Sequence, residues 1–338
     1  MRGLSGKVVV VAGGGGIGAA TVQRLVEGGA RVVVGDINAT HATELAEGLR
    51  AAGHACIGTG FDITDEASVN ALVALAVKEF GGLDALFANA ADLQIIHQDS
   101  NVLEEPMSVF DRTLDVNLRG HWLCTRAALP ELLKRGGGSL VYTSSAAAVM
   151  GEAVRPAYAI TKAGIEALVR HVASAWGKQN IRANAVAPGF VMTPQIQASM
   201  PAEFREQMLK GTRHSRLGEP SDIASMVAFV MSDEGAWIQG QSLGVNRGLR
   251  FFARALRACG EIVRGHGPLL PRVSGHSRGP RRSGPCPRRL DVVFTRRQGS
   301  PCPLPLRCSR CRCPRRAWFR GVRSTRPVFQ VLPRSAGC

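Results

Sequence analysis

The chain has 338 residues, of which 45% are hydrophobic, ample for a buried core, and it carries a formal net charge of +16. No run approaches the ~18 consecutive apolar residues that a spanning helix needs, so nothing in the sequence reads as integrated into a membrane. The charge is divided: residues 1 to 248 hold 21 lysines and arginines against 24 acids, net −3, whereas residues 249 to 338 hold 21 arginines against two acids, net +19.

At the N-terminus, the apolar run from Val8 to Ala12 is too short for a secretory signal and leads straight into glycines. Only Cys56 and Cys124 of the nine cysteines lie in the first 248 residues, which predicts a reduced, cytoplasmic domain. From Lys7 onward, short Val/Ala/Leu-rich runs alternate with longer amphipathic stretches, the pattern of strands and crossover helices. Strands are predicted at 7–12, 30–36, 55–62, 83–90, 139–143, 181–187 and 242–245, with helices at about 19–27, 39–52, 66–80, 107–135, 157–178 and 221–232. That order implies an α/β domain over residues 1–250 with a doubly wound, parallel, seven-stranded sheet. Ligands of such sheets bind beyond the carboxyl ends of the strands. Those positions hold the glycine run, Asp36, Asp62, Asn89, Ser145 and Pro188-Gly189.

Ala12-Gly13-Gly14-Gly15-Gly16-Ile17-Gly18 sits between a valine strand and a helix. In that context the glycines let the backbone turn tightly against a pyrophosphate held by free N–H groups at the helix N-terminus. Asp36 follows Gly18 by 18 residues at the end of the second strand, where a carboxylate can accept both adenosine ribose hydroxyls. This favours NAD over NADP, because a 2′-phosphate would face that carboxylate and no Arg or Lys lies between Gly13 and Gly18. Asp62 either reaches the adenine amino group or opens the next helix at Thr64-Asp65. Tyr158 and Lys162, four residues apart, share one face of a predicted helix and can act on one ligand.

Together these segments resemble the short-chain dehydrogenase/reductase family, a Rossmann-like group, over residues 5 to about 248. The match runs through the glycine turn, Asp36, Asn89-Ala90, Val116-Asn117, Ser144-Ser145, Tyr158 with Lys162, and Pro188-Gly189 with Thr193; Ser145 precedes Tyr158 by 13 residues, the family spacing. The resemblance implies an NAD-dependent oxidoreductase acting on a small secondary alcohol or ketone. It implies Tyr158 as the acid/base, with Lys162 supplying a cation that favours phenolate and binding the nicotinamide ribose. Ser145 would hold the substrate oxygen, and Asn117 a water that relays protons. Gly13, Gly16, Ile17, Gly18, Asp36, Asp62 and Asn89 would bind the cofactor, and Pro188, Gly189, Val191 and Thr193 would hold its carboxamide. Each catalytic residue also has a plain structural alternative: Tyr158 can pack, Ser145 can cap a turn, and Asn117 can satisfy a buried backbone group.

The chain departs from the family pattern at three places. The usual Thr-Gly-x-x-x-Gly-x-Gly turn has Ala12 for the threonine and only two residues between Gly13 and Gly16. Either the loop is one residue shorter or Ala12 takes the first glycine position. Asn-Asn-Ala-Gly becomes Ala88-Asn89-Ala90-Ala91, and Asp-Gly-Gly becomes Asn246-Arg247-Gly248. Residues 195–217, without a clear period, read as a lid over the substrate that does not name it. By resemblance, the long helices at 107–135 and 157–178 would pair across a two-fold axis to give a homodimer or homotetramer.

Residues 251–338, rich in Arg, Pro, Gly, Ser and Cys, point to a disordered tail, and read as a shifted or read-through frame of GC-rich DNA. Cys302, Cys308, Cys311 and Cys313 supply one Cys-x-x-Cys without a second knuckle, so no metal site is expected. The competing functional reading is a cofactor-impaired scaffold whose basic tail contacts nucleic acid or another acidic surface.

Overall fold

The computed structural model describes residues 1–248; the expectations for the tail, its cysteines and its arginines lie outside them. β1 (Val8–Ala12) is four valines and an alanine, all buried. Val8, Val10 and Ala12 pack on one side with residues of α3 (Glu66–Phe80), α5 (Gly120–Lys134) and α6 (Pro156–Trp176). Val9 and Val11 pack on the other with α1 (Ile17–Glu27), α2 (Ala39–Ala51) and α9 (Pro220–Met231). Alternate side chains of a strand point to opposite faces, so an all-apolar run has to be covered on both. That requirement produces the two helical layers.

The other strands are β2 (Arg31–Asp36), β3 (Cys56–Gly60), β4 (Ala85–Ala88), β5 (Gly138–Thr143), β6 (Ile181–Pro188) and β7 (Ser242–Val245). They form one seven-stranded sheet in the order β3-β2-β1-β4-β5-β6-β7, with every pair parallel. All carboxyl ends therefore fall along one edge, and the direction of winding reverses between β1 and β4. No helix among the described residues is long and apolar enough to cross a membrane. Cys56 and Cys124 are buried and unbonded.

Two elements differ from the sequence expectation. The predicted helix at 107–135 is α4 (Met107–Leu114) and α5 joined by one π turn, Asp115–Arg119, that carries Asn117. The turn adds a residue to the helical repeat, and such bulges frequently occur at functional sites. The segment at 195–217 holds two helices, α7 (Pro194–Ser199) and α8 (Ala202–Gly211), neither with a buried residue. Without a core-facing side they leave no apolar period to read.

Candidate active site

The carboxyl edge of the sheet collects the predicted residues. β1 pairs Ala12 with both Gly35 and Ala88, so the strand reaches Ala12 and the turn begins at Gly13. Gly13 has φ 108, and a Cβ there would lie 2.5 Å from the Ala90 nitrogen. The shorter loop is thus the one adopted. Its tip is tied to β2: the Gly14 N–H donates to Asp36 Oδ2 at 2.7 Å, and the Asn38 N–H donates to Asp36 Oδ1 at 2.9 Å. The His41 ring meets the Gly14 carbonyl at 3.3 Å.

α1 starts after Gly16 with no side-chain cap, whereas Asn38 caps α2 and Asp65 caps α3. The helix therefore presents unsatisfied N–H groups and the positive end of its dipole beside the switch point. Gly15 projects into open space, where an added Cβ would meet only Asp36 Oδ2 at 3.9 Å. Bare backbone, a free helix N-terminus and a carboxylate at the next strand end fit a dinucleotide.

Asp62 forms its own turn, accepting the Thr64 N–H and hydroxyl at 2.8 Å each, and these bonds lower its pKa. Asp65, not Asp62, opens α3 by accepting from Ala67 and Ser68. Asn89 bridges the turn to β5: its Nδ2 donates to the Gly13 carbonyl at 3.0 Å, and its Oδ1 accepts from Thr143 at 2.8 Å. Gly189 donates to Val245, and Val191 bridges to Gly218. Thr193 caps α7 and packs over Gly16, where a Cβ would stand 2.8 Å from its Cγ2. The α7–α8 segment therefore begins against the glycine turn.

Lys162 is buried, and its Nζ donates to the Thr143 carbonyl at 2.9 Å while standing 5.5 Å from the Tyr158 ring centroid. Burial pushes its ammonium down to about 8. Burial also raises the Tyr158 phenol; the facing Ser145 hydroxyl and then Arg155 oppose that rise. Ser145 also caps a short 3-10 turn through Ala147. Asn117 takes the Asp92 N–H on Oδ1 at 3.0 Å, so the plain structural role applies to half of its amide. Its Nδ2 is buried and unpartnered.

A family model described as enoyl-(acyl carrier protein) reductase matches residues 11–250. Cis-4-hydroxycyclohexanecarboxylate dehydrogenase of Sinomonas cyclohexanicum is 39% identical, over 72% of this chain and 96% of that protein. The 7alpha-hydroxysteroid dehydrogenase of Bacteroides fragilis is 32% identical over 74% of this chain and 96% of that protein. Among solved structures, a 7 alpha-hydroxysteroid dehydrogenase complexed with NADH and 7-oxo glycochenodeoxycholic acid has a TM-score of 0.68 at 33% identity, covering 73% of this chain and 95% of that one. The chain belongs to the short-chain dehydrogenase/reductase family. It is an oxidoreductase of the dehydrogenase/reductase type.

In this member of the short-chain dehydrogenase/reductases, spacing gave no sign of three further residues. Asp99 accepts backbone N–H groups at the start of α6. Glu166, buried, joins Ser144 of the β5 end to Ser242 of β7 at 2.9 and 2.6 Å. His121, buried one turn beyond Asn117, is held neutral, pushed down to about 3 by burial and then by the Lys162 charge.

The buried Lys162 yields a signed expectation. Its pKa is lowered by folding, so the charge costs stability below about pH 8, and the cost fades as pH rises toward the unfolded value of about 10.4. Lys162→Met should raise the melting temperature of the cofactor-free protein by about 3–6 °C at pH 7, from roughly 1–2 kcal/mol. The gap between variant and wild type should narrow by pH 10, and thermal melts at both pH values check this.

Proposed function

We propose that this protein transfers a hydride between NAD and a secondary alcohol or its ketone, with Tyr158 as the proton donor and acceptor. The observation that carries the reading is the meeting of Tyr158, Ser145 and Lys162 at the carboxyl edge, beside an uncapped helix N-terminus and Asp36, with Asn117 buried and holding the Asp92 N–H of the loop after β4. A bound nicotinamide supplies the hydride chemistry. The chain supplies the proton at the Tyr158 hydroxyl, a hydrogen bond from Ser145 to the substrate oxygen, and the Lys162 ammonium near the nicotinamide ribose.

Asp36 supports NAD over NADP, since each oxygen of its carboxylate accepts one backbone N–H and keeps capacity for a ribose hydroxyl. Asp62, Asn89, Pro188, Gly189, Val191 and Thr193 complete the proposed cofactor site with Gly13, Gly16, Ile17 and Gly18. Val149 and Val154, exposed between Ser145 and Tyr158, suit an apolar ring alcohol, as does the edge-to-face pair Phe190 and Phe204 at 6.3 Å. The relatives named for cyclohexane and steroid substrates support the same class. A second copy of the chain would cover the groove along α4 to α6, where Trp122 is half exposed beside Leu118 and Gly164.

Titration of the full chain with NADH, read by fluorescence, should saturate, and NADPH should bind at least about tenfold more weakly from the charge opposition at Asp36. Turnover of cyclic secondary alcohols should follow with NAD. No binding of either nucleotide, or equal affinity for both, would sink the assignment of Asp36.

A further inference from the structure

α6 carries both Tyr158 and Lys162, yet nothing local caps its start. The residue before it, Arg155, has φ 67 and offers no side-chain cap, and Pro156 has no N–H to give. The cap comes from the loop after β4. Asp99, 3% exposed, accepts the Ala157 N–H on Oδ1 at 3.3 Å and the Tyr158 N–H on Oδ2 at 2.7 Å. The neighbouring Ser100 carbonyl accepts the Arg155 N–H at 2.9 Å. An acidic group here also meets the positive end of a 21-residue helix.

A second carboxyl group stands against the first. Both oxygens of Glu105 are buried and lack a hydrogen-bond donor, and the group that bears on them is Asp99. Two carboxylates in contact do not both stay ionised, so one proton is shared between them. Asp99 already accepts two N–H donors, and a proton on Glu105 lets that side chain donate an O–H to Asp99. Burial, followed by Asp99, pushes Glu105 up to about 7. Arg155, at the start of α6, is paired with Glu152, and Arg112 of α4 with Asp92.

We propose that Asp99 is a positioning residue that fixes the start of α6 and hence Tyr158, and that protonated Glu105 holds Asp99 in place. The proposal rests on the reading of Tyr158 as acid/base. Folding raises the pKa of Glu105 above its unfolded value, so the stabilising contact is complete below about pH 4.3 and is lost as pH rises through about 7. Above that, two like charges face each other and the loop releases the first turn of α6.

Hydrogen exchange of the full chain, followed by mass spectrometry from pH 6 to 8.5 and corrected for intrinsic rates, reads this turn directly. Protection over 157–162 should fall about 5- to 30-fold across that range in wild type, the size expected for losing a cap. Glu105→Gln, which keeps a donor to Asp99 at every pH, should abolish the fall. Glu104→Gln, at the exposed neighbour bonded to Asn101, should reproduce wild type. Asp99→Ala should lose protection at both ends of the range and lower kcat more than it raises KM for NADH, with partial rescue by Asp99→Asn. A wild-type pH dependence in Glu105→Gln would overturn the proposal, as would full protection in Asp99→Ala. Because exchange reports on the helix start itself, failure of the Tyr158 assignment would appear separately, as turnover by Tyr158→Phe. Should Asp99→Ala not fold, the Glu105→Gln and Glu104→Gln pair decides alone.

Discussion

Tyr158→Phe should lower kcat for a secondary alcohol by about 10²–10⁴-fold while leaving the dissociation constant for NADH within about threefold of wild type. The substitution deletes one hydroxyl and keeps the ring beside the Lys162 ammonium, 5.5 Å from the ring centroid, so the packing that positions α6 survives. What disappears is the group proposed to exchange a proton with the substrate oxygen. Burial raises the phenol, with the Ser145 hydroxyl and Arg155 working against it, so in the cofactor-free protein Tyr158 is in its acid form at neutral pH. With Tyr158 in its proposed role, that form would serve ketone reduction directly, whereas alcohol oxidation would need the phenolate. Ketone reduction should therefore hold up to higher pH than a model tyrosine, of pKa about 10, would allow. Steady-state rates in both directions, with NADH binding measured on the same preparation, check this. Turnover within about threefold of wild type would remove Tyr158 from the chemistry.

Much of the fold is written in the sequence because its strands are apolar on both faces. Val8 to Val11 could only be a strand buried between two layers, and the parallel order that follows brings every strand end to one edge. Asp36, Asn89 and Pro188 could be named for that reason, and Tyr158 with Lys162 because four residues is a helical repeat. The glycine turn was ambiguous because four consecutive glycines align in two ways with a longer pattern; the pairing of Ala12 with Ala88 decides between them. The π turn at Asn117 leaves no mark in an apolar period, since one extra residue shifts the phase without changing composition. Asp99 was illegible for a different reason. It is a loop carboxylate whose partners, the amides of Ala157 and Tyr158, are nearly sixty residues further along the chain. Contacts of that kind are set by how the sheet places its loops, which local spacing does not encode.

The short glycine turn gives the second large expectation, at Gly18. A Cβ on Gly18 would fall inside van der Waals contact of the Gly13 carbonyl oxygen, which is backbone and cannot swing aside as a side chain would. That same oxygen accepts the Asn89 amide at 3.0 Å, Asn89 accepts from the Thr143 hydroxyl at 2.8 Å, and the Thr143 carbonyl accepts from Lys162 at 2.9 Å. Displacing Gly13 thus strains a chain of bonds that ends on the ammonium beside Tyr158. In a loop with a spare residue the turn could absorb the shift, but here two residues separate Gly13 from Gly16, and Thr193 packs over Gly16 from the start of α7. Gly18→Ala should therefore cost about 2–3 kcal/mol, a fall in melting temperature of roughly 4–12 °C, and weaken NADH binding at least about tenfold. Gly15→Ala, whose Cβ would enter open space, should melt with wild type. Each variant adds one methyl group, at a different place along the same glycine run, so a normal melt and normal NADH affinity in Gly18→Ala would mean that the turn is not closed in the way this chain of bonds requires.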